Sequence, residues 1–282
     1  MKQLLRLPAV ILILSLTILS LAQNPDIPRE WLEDRLQLEG DRITFCLNPD
    51  ALTASFDRAL AQELAGVLLL EPRIHEVETW RPTPPLDYRL PLNQNQTFML
   101  LADHCNAFIN FSISPHTPEW MILTRPYYRS GFSFISTHPE VTSLQDLEPG
   151  ERVGTRSQTA ADISFATFIQ SLDDGNRWSR APYPDNELLL ERLLDGTIRA
   201  AMIWDPALYA ATDGDPESQG IRVISAGAYQ PPATEFGLAL RNQDAFLRTM
   251  LDEAIQYLIQ DGTIESLLAQ YGIRGTPAGT GR

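Results

Sequence analysis

The chain has 282 residues, 44% of them hydrophobic, and 36 acidic against 22 basic side chains give it a formal charge of −14. That length suffices for two lobes with separate cores. The carboxylate surplus excludes nucleic acid and anionic lipid as partners, because the phosphate-binding electrostatic contribution has the wrong sign.

In chain order, the first feature is Lys2 and Arg6 ahead of an uncharged apolar run from Leu7 to Ala22. This is the layout of a secretory signal, and the run is shorter than the ~20 residues of a membrane-spanning helix. Small residues at Ser20 and Ala22 fit cleavage before Gln23, and no cysteine follows at which a lipid could be attached. Residues 1–22 are therefore read as a signal peptide, 23–40 as an N-terminal extension, and the mature protein as periplasmic and monomeric. No lysine follows Lys2, so every later basic side chain is arginine. In an oxidising compartment Cys46 and Cys105 form a disulfide by default; two separately buried thiols are the alternative.

Arg42 to Leu47 reads as a strand ending at Asn48, Pro49 and Asp50. Phe56, Leu60, Leu64 and Val67 recur at helical spacing within a helix over 55–70. A strand is expected over 74–80, a proline-rich loop over 81–91, a short helix over 98–102 and a strand over 107–113. Further strands are expected at 131–136, 152–155, 200–204, 221–224 and 236–240. Between and after them lie a capped turn at 143–147 and helices at 159–169, 187–194, 244–260 and 263–270. Strands alternating with helices in two blocks predict two α/β lobes with largely parallel sheets. The histidines 75, 104, 116 and 138 are scattered without ligand spacing, which predicts no metal site and no cofactor.

The order TPEW (117–120), RPYYRSGF (125–132), SLQDLEPGERVGT (143–155), LLDGTIRAAMIWDP (193–206), FGLALRNQD (236–244) and LIQDGTIESLLAQYGI (258–273) resembles the bacterial extracellular solute-binding proteins of family 3. Within that family FCLNPD, HCNAFI, TRPYYRSGF and Trp204-Asp205-Pro206 resemble the MxaJ/XoxJ branch associated with quinoprotein methanol dehydrogenases. The chain departs from the branch at Asp205, where a Gly is usual, and at Asn106, where an Asp is usual. It also lacks a glycine that the branch carries after the third strand.

The resemblance implies a two-lobed, type II periplasmic-binding-protein fold joined by two hinge crossings, near 131–136 and 234–240. Lobe 1 would comprise 41–133 and 235–273, lobe 2 would comprise 134–234, and 274–282 would be a flexible tail. The first and third strands of one lobe then lie side by side, which makes the Cys46–Cys105 bridge geometrically possible.

Ligands of open α/β sheets bind beyond the carboxyl ends of strands. That places Asn48, Asp50, Ser112, Ser114, Thr155, Ser157, Thr159 and Asp205 at the cleft. Amino-acid receptors of the family carry an Arg after the TPE motif to clamp a carboxylate; here Trp120 stands there, and Arg125 or Arg129 must reach in from the next loop if a clamp exists. Asp205 matches the family residue that holds a ligand ammonium, with a helix cap as its other reading. Tyr127, Tyr128 and Trp204 read as packing aromatics, and Trp120 as either packing or a ligand platform. Without a nucleophile motif or phosphate loop the chain is not an enzyme. The expected partners are a small polar ligand in the inter-lobe cleft and either an inner-membrane ABC permease or a periplasmic quinoprotein dehydrogenase.

Overall fold

The protein is represented by a computed structural model that describes residues 40–77, 94–113, 117–173, 175 and 177–279. The expected signal peptide, nearly all of the N-terminal extension, the proline-rich loop, Ser114 and His116 lie outside these residues. No described helix is long and apolar enough to cross a membrane.

The first half runs β1 (Arg42–Leu47), α1 (Ala54–Val67), β2 (Glu71–Glu76), α2 (Gln94–Asp103), β3 (Ala107–Ser112), β4 (Met121–Leu123) and β5 (Tyr128–Ser130). The second runs β6 (Phe132–Ser136), β7 (Arg152–Arg156), α3 (Ala160–Ser171), β8 (Ser179–Tyr183), α4 (Asn186–Leu194), β9 (Ala200–Trp204), α5 (Asp205–Ala211) and β10 (Arg222–Ile224). The chain then returns through β11 (Thr234–Arg241), α6 (Ala245–Gln260), α7 (Thr263–Gln270) and β12 (Thr276–Pro277).

Two sheets result. The larger has the order β12-β5-β11-β3-β1-β2 with β4 also on β11, and the smaller has the order β10-β6-β9-β7-β8. Strands linked through helices run parallel, as β1 does with β2 and β3, and β7 with β8 and β9. The strands that carry the chain between sheets, β6 and β11, run antiparallel to their neighbours. A helical crossover returns the chain to the same end of a sheet, whereas a chain entering from the other lobe starts at the opposite end. Both sheets are therefore mixed rather than largely parallel.

The core of the first lobe lies between its sheet and α1, α6 and α7. Phe56, Leu60 and Leu64 of α1 are fully buried, as the three-and-four spacing predicts. Each stabilises by about 1.5–3 kcal/mol through lost apolar exposure. Val67, on the same expected face, is exposed because α1 ends there and Leu69 turns to positive φ. The second lobe buries Phe134, Val153, Phe165 and Met202 on one face of its sheet and Leu189, Leu193 and Ile203 on the other.

Some boundaries move. β2 begins at Glu71 rather than 74, because pairing with β1 sets its register and an exposed edge strand tolerates Pro72 and its charged neighbours. The capped turn at 143–147 is a 3₁₀ turn, Leu144–Asp146, closed by reciprocal bonds between Ser143 and Asp146. Cys46 and Cys105 form a disulfide with a Cα–Cα distance of 5.5 Å, and β1 and β3 are neighbours as the resemblance implies. Asn106 bridges the same strands: its Oδ1 accepts from the Thr44 amide at 2.8 Å, and its own amide donates to the Thr44 carbonyl.

The segment expected as a flexible tail contains β12, which pairs Thr276 with Arg129 and Pro277 with Tyr128. The Ala278 amide donates to the Tyr127 carbonyl at 3.1 Å, which extends this contact by one residue. A proline is admissible there because β12 is an edge.

Candidate functional site at the hinge

The first crossing between lobes is the single residue Gly131, since 132–136 is already paired in the second sheet; the other crossing is 225–233. Beside them lies a cavity of about 480 Å³, within the size range of small-molecule sites. Its walls come from Ala233 of the second crossing and three other parts of the chain. Arg129, Ser130 and Gly131 precede β6, Ser133, Asp205 and Tyr209 belong to the second lobe, and Arg274, Gly275 and Thr276 belong to the C-terminal segment.

Asp205 opens α5, with Pro206 at the next position, where a missing amide costs nothing. Its amide donates to the Gly131 carbonyl at 3.1 Å, and its Oδ1 accepts from the Ser133 hydroxyl at 2.7 Å. A Cβ on residue 131 would come within 2.9 Å of Asp205 Oδ2, so a side chain there would displace the carboxylate. Burial raises the Asp205 carboxyl above its usual range, opposed by the Ser133 hydroxyl and the nearby Arg274 charge.

Arg274 sits 4.1 Å over the centroid of the Tyr209 ring, so a residue anchored on the first lobe touches the second by a cation–π contact. The anchor is β12 pairing together with the Ser130 hydroxyl, which donates to the Arg274 carbonyl at 2.7 Å. Arg129 donates from Nε to Thr276 Oγ1 at 3.4 Å, a long bond that holds the guanidinium loosely.

Of the residues expected at the cleft, the structure brings Arg129 and Asp205 together at this cavity. Asn48 follows β1 and accepts the Asp50 amide in a local turn, and Ser112 ends β3 at the surface. Thr155 is fully buried and donates to Asp162 at 2.6 Å. Ser157 donates its amide to the Tyr183 carbonyl, and Thr159 caps α3 by accepting the Asp162 amide. Trp120 is 7% exposed and packs edge-on against Phe98 in the core beside the disulfide. It does not line the cavity. Arg125 is held on α6 by Asp252 and Gln256 and does not line the cavity either. Ser133, Tyr209 and Arg274 escaped the sequence reading. Only their place in the fold, one turn past Asp205 for Tyr209 and one residue past Ile273 for Arg274, brings them to the hinge.

Two other polar groupings matter. His75 and His104, which look unrelated in sequence, stack with ring centroids 4.7 Å apart; among the described residues no group of three metal-ligating side chains assembles. Under α1, Thr53 donates to buried Asp57 at 2.7 Å and accepts from Asn110 at 2.6 Å, and the Tyr128 hydroxyl donates to Asn110. Asn110 has φ +60° at an extra residue of β3 opposite β11, a position that suits Asn.

No family model and no curated protein matches the chain. Solved structures do. Substrate binding domain 2 of GlnP from Lactococcus lactis, in its open conformation, superposes with a TM-score of 0.60 at 16% identity, covering 83% of this chain and 97% of that one. A mutant of ArgBP from T. maritima matches with a TM-score of 0.55 at 17% identity, covering 82% of this chain and 95% of that one. The amino acid ABC transporter substrate-binding protein AbpA from Streptococcus pneumoniae, bound to L-arginine, matches with a TM-score of 0.56 at 16% identity, over 82% and 94% of the two chains. The fold is that of a two-lobed, type II periplasmic binding protein. In this binding-protein fold the two sheets are separate bodies, and a cavity at the crossings is lined from both, so its shape depends on the angle between lobes.

Proposed function

We propose that the protein is an exported receptor that closes its lobes around a small polar, amino-acid-like solute at the hinge cavity and presents it to an ABC-type permease, without chemistry of its own. The observation that carries this reading is Asp205. It is a half-buried carboxylate held by Ser133 at the inter-lobe wall, with its other oxygen facing Gly131 and the cavity. A carboxylate so placed suits the ammonium of an amino-acid-like ligand. The L-arginine bound to AbpA, a solved structure with this fold, supports the same class.

Export through residues 1–22 to the periplasm and a monomeric state belong to the same proposal. So do the cleft positions Asn48, Asp50, Ser112, Ser114, Thr155, Ser157 and Thr159. A second reading, an accessory protein docking on a periplasmic quinoprotein dehydrogenase, draws on the disulfide at the position where the MxaJ/XoxJ-like pattern has it and on Trp120 in place of the usual arginine.

Small-angle scattering and calorimetry of the secreted protein with a panel of amino acids and small acids test the receptor reading. A ligand that binds reduces the radius of gyration as the lobes close, and raises the melting temperature. Silence across the panel together with capture of a quinoprotein dehydrogenase establishes the accessory role instead.

A further inference from the structure

In a chain with a formal charge of −14, arginines have carboxylates in excess to pair with. Several described arginines take one: Arg180 holds Asp162, Arg199 holds Glu140 and Glu151, and Arg241 holds Asp244. The two arginines at the hinge cavity differ. Among the described residues neither Arg129 nor Arg274 forms an ion pair; their side-chain partners are the Thr276 hydroxyl and the Tyr209 ring. Among the described residues the one carboxylate on the cavity wall, Asp205, is hydrogen-bonded to Ser133 rather than to either arginine. Two guanidinium groups and one carboxylate leave the wall with a net positive charge, on a molecule that is otherwise strongly negative.

We infer that Arg129 and Arg274 form a carboxylate clamp at the hinge cavity, so that the solute is one bearing at least one carboxylate. This rests on the receptor reading and deepens it. The position after the TPE motif, where the family resemblance implies an arginine clamp, holds the core residue Trp120. The clamp is instead assembled from β5 of the first lobe and from the C-terminal segment. Guanidinium groups match carboxylates by paired, charge-assisted hydrogen bonds. The clamp is also tied to closure: Arg274 is anchored through β12 on the first lobe and rests on Tyr209 of the second, so drawing it toward a ligand pulls on both. With Asp205 on the same cavity wall, the ammonium of an amino acid would also find a partner.

The test titrates the full secreted chain by calorimetry with succinate, L-glutamate and L-glutamine, and with the carboxylate-free succinamide and putrescine. Wild type is expected to bind at least one carboxylate probe and to bind it less tightly as salt rises. Arg274→Gln and Arg129→Gln should each weaken that probe roughly tenfold to a hundredfold, the loss of a hydrogen bond to a charged group. Arg274→Lys should fall between, since it keeps the charge and loses the fork. Near-wild-type melting temperatures for the free variants separate this loss from misfolding. Binding of succinamide or putrescine in preference to the carboxylates, or unchanged carboxylate affinity in both glutamine variants, overturns the clamp and leaves the receptor. Silence of wild type toward every probe overturns both.

Discussion

Each lobe places an aspartate in the first turn of the helix that follows the first strand of its parallel set: Asp57 in α1 and Asp162 in α3. Both are buried and both accept from a threonine hydroxyl, Thr53 to Asp57 and Thr155 to Asp162. Asp162 also accepts from Arg180 at 2.5 Å and from the Gln158 amide at 3.2 Å. Asp57 lies near Tyr127 and Tyr128 instead, its Oδ1 has no partner among the described residues, and its carboxyl is pushed up to about 7 by burial. The same residue at the same place thus bonds a cation in one lobe and a threonine hydroxyl in the other. A buried carboxyl's charge state follows from whether a counter-ion comes with it. The first lobe carries a disulfide link, the second an ion pair on its buried aspartate.

Removing the link attacks the first lobe alone. Cys46→Ala with Cys105→Ala should cost about 4 kcal/mol in the loop-entropy account, read as a fall in the urea midpoint. A loss confined to the second lobe, seen by hydrogen exchange, would contradict this assignment.

The next effect is a pH dependence. The folded-state pKa of Asp57 lies above its unfolded value, so its contribution is fully present below about pH 4. It is lost as pH rises to about 7, at about 1.4 kcal/mol per unit within that window. Asp57→Asn should abolish this part of the slope, measured by urea unfolding at pH 5 and pH 8; equal slopes in both proteins would mean that Asp57 is already ionised.

Arg180→Gln strips the second lobe's aspartate of its cation. About 2–3 kcal/mol should be lost by thermal melting, less than for a sealed pair because a third of the Arg180 side chain is open to water. The smallest expected effect is at the helix starts. Thr159→Ala removes a true cap and should cost about 1 kcal/mol by the same measurement.

The alternation of apolar runs and helical spacing made most of this fold legible. Arg42–Leu47, Ala200–Trp204 and Thr263–Gln270 have the bounds the sequence suggests, because each is an apolar element closed by polar residues or glycine. What escaped is short or at an edge: Tyr128–Ser130, the largely exposed Ser179–Tyr183 with its Pro182, and Thr276–Pro277. Edge strands bury little and leave no periodicity to read. The site follows the same division. Asp205 and Arg129 stand within motifs, while Arg274 stands in a Gly/Thr-rich stretch and reaches the hinge through the pairing of the short edge strand β12 with β5, which sequence patterning does not show.

Gly131 is a one-residue joint with an acid pressed against it. Rotation of the lobes has to be absorbed largely in that residue's two backbone angles, and the same rotation re-aims the Asp205 carboxylate that lies on it. Swing and grip are therefore geared: even a methyl group at 131 would both stiffen the swivel and push the acid off its seat.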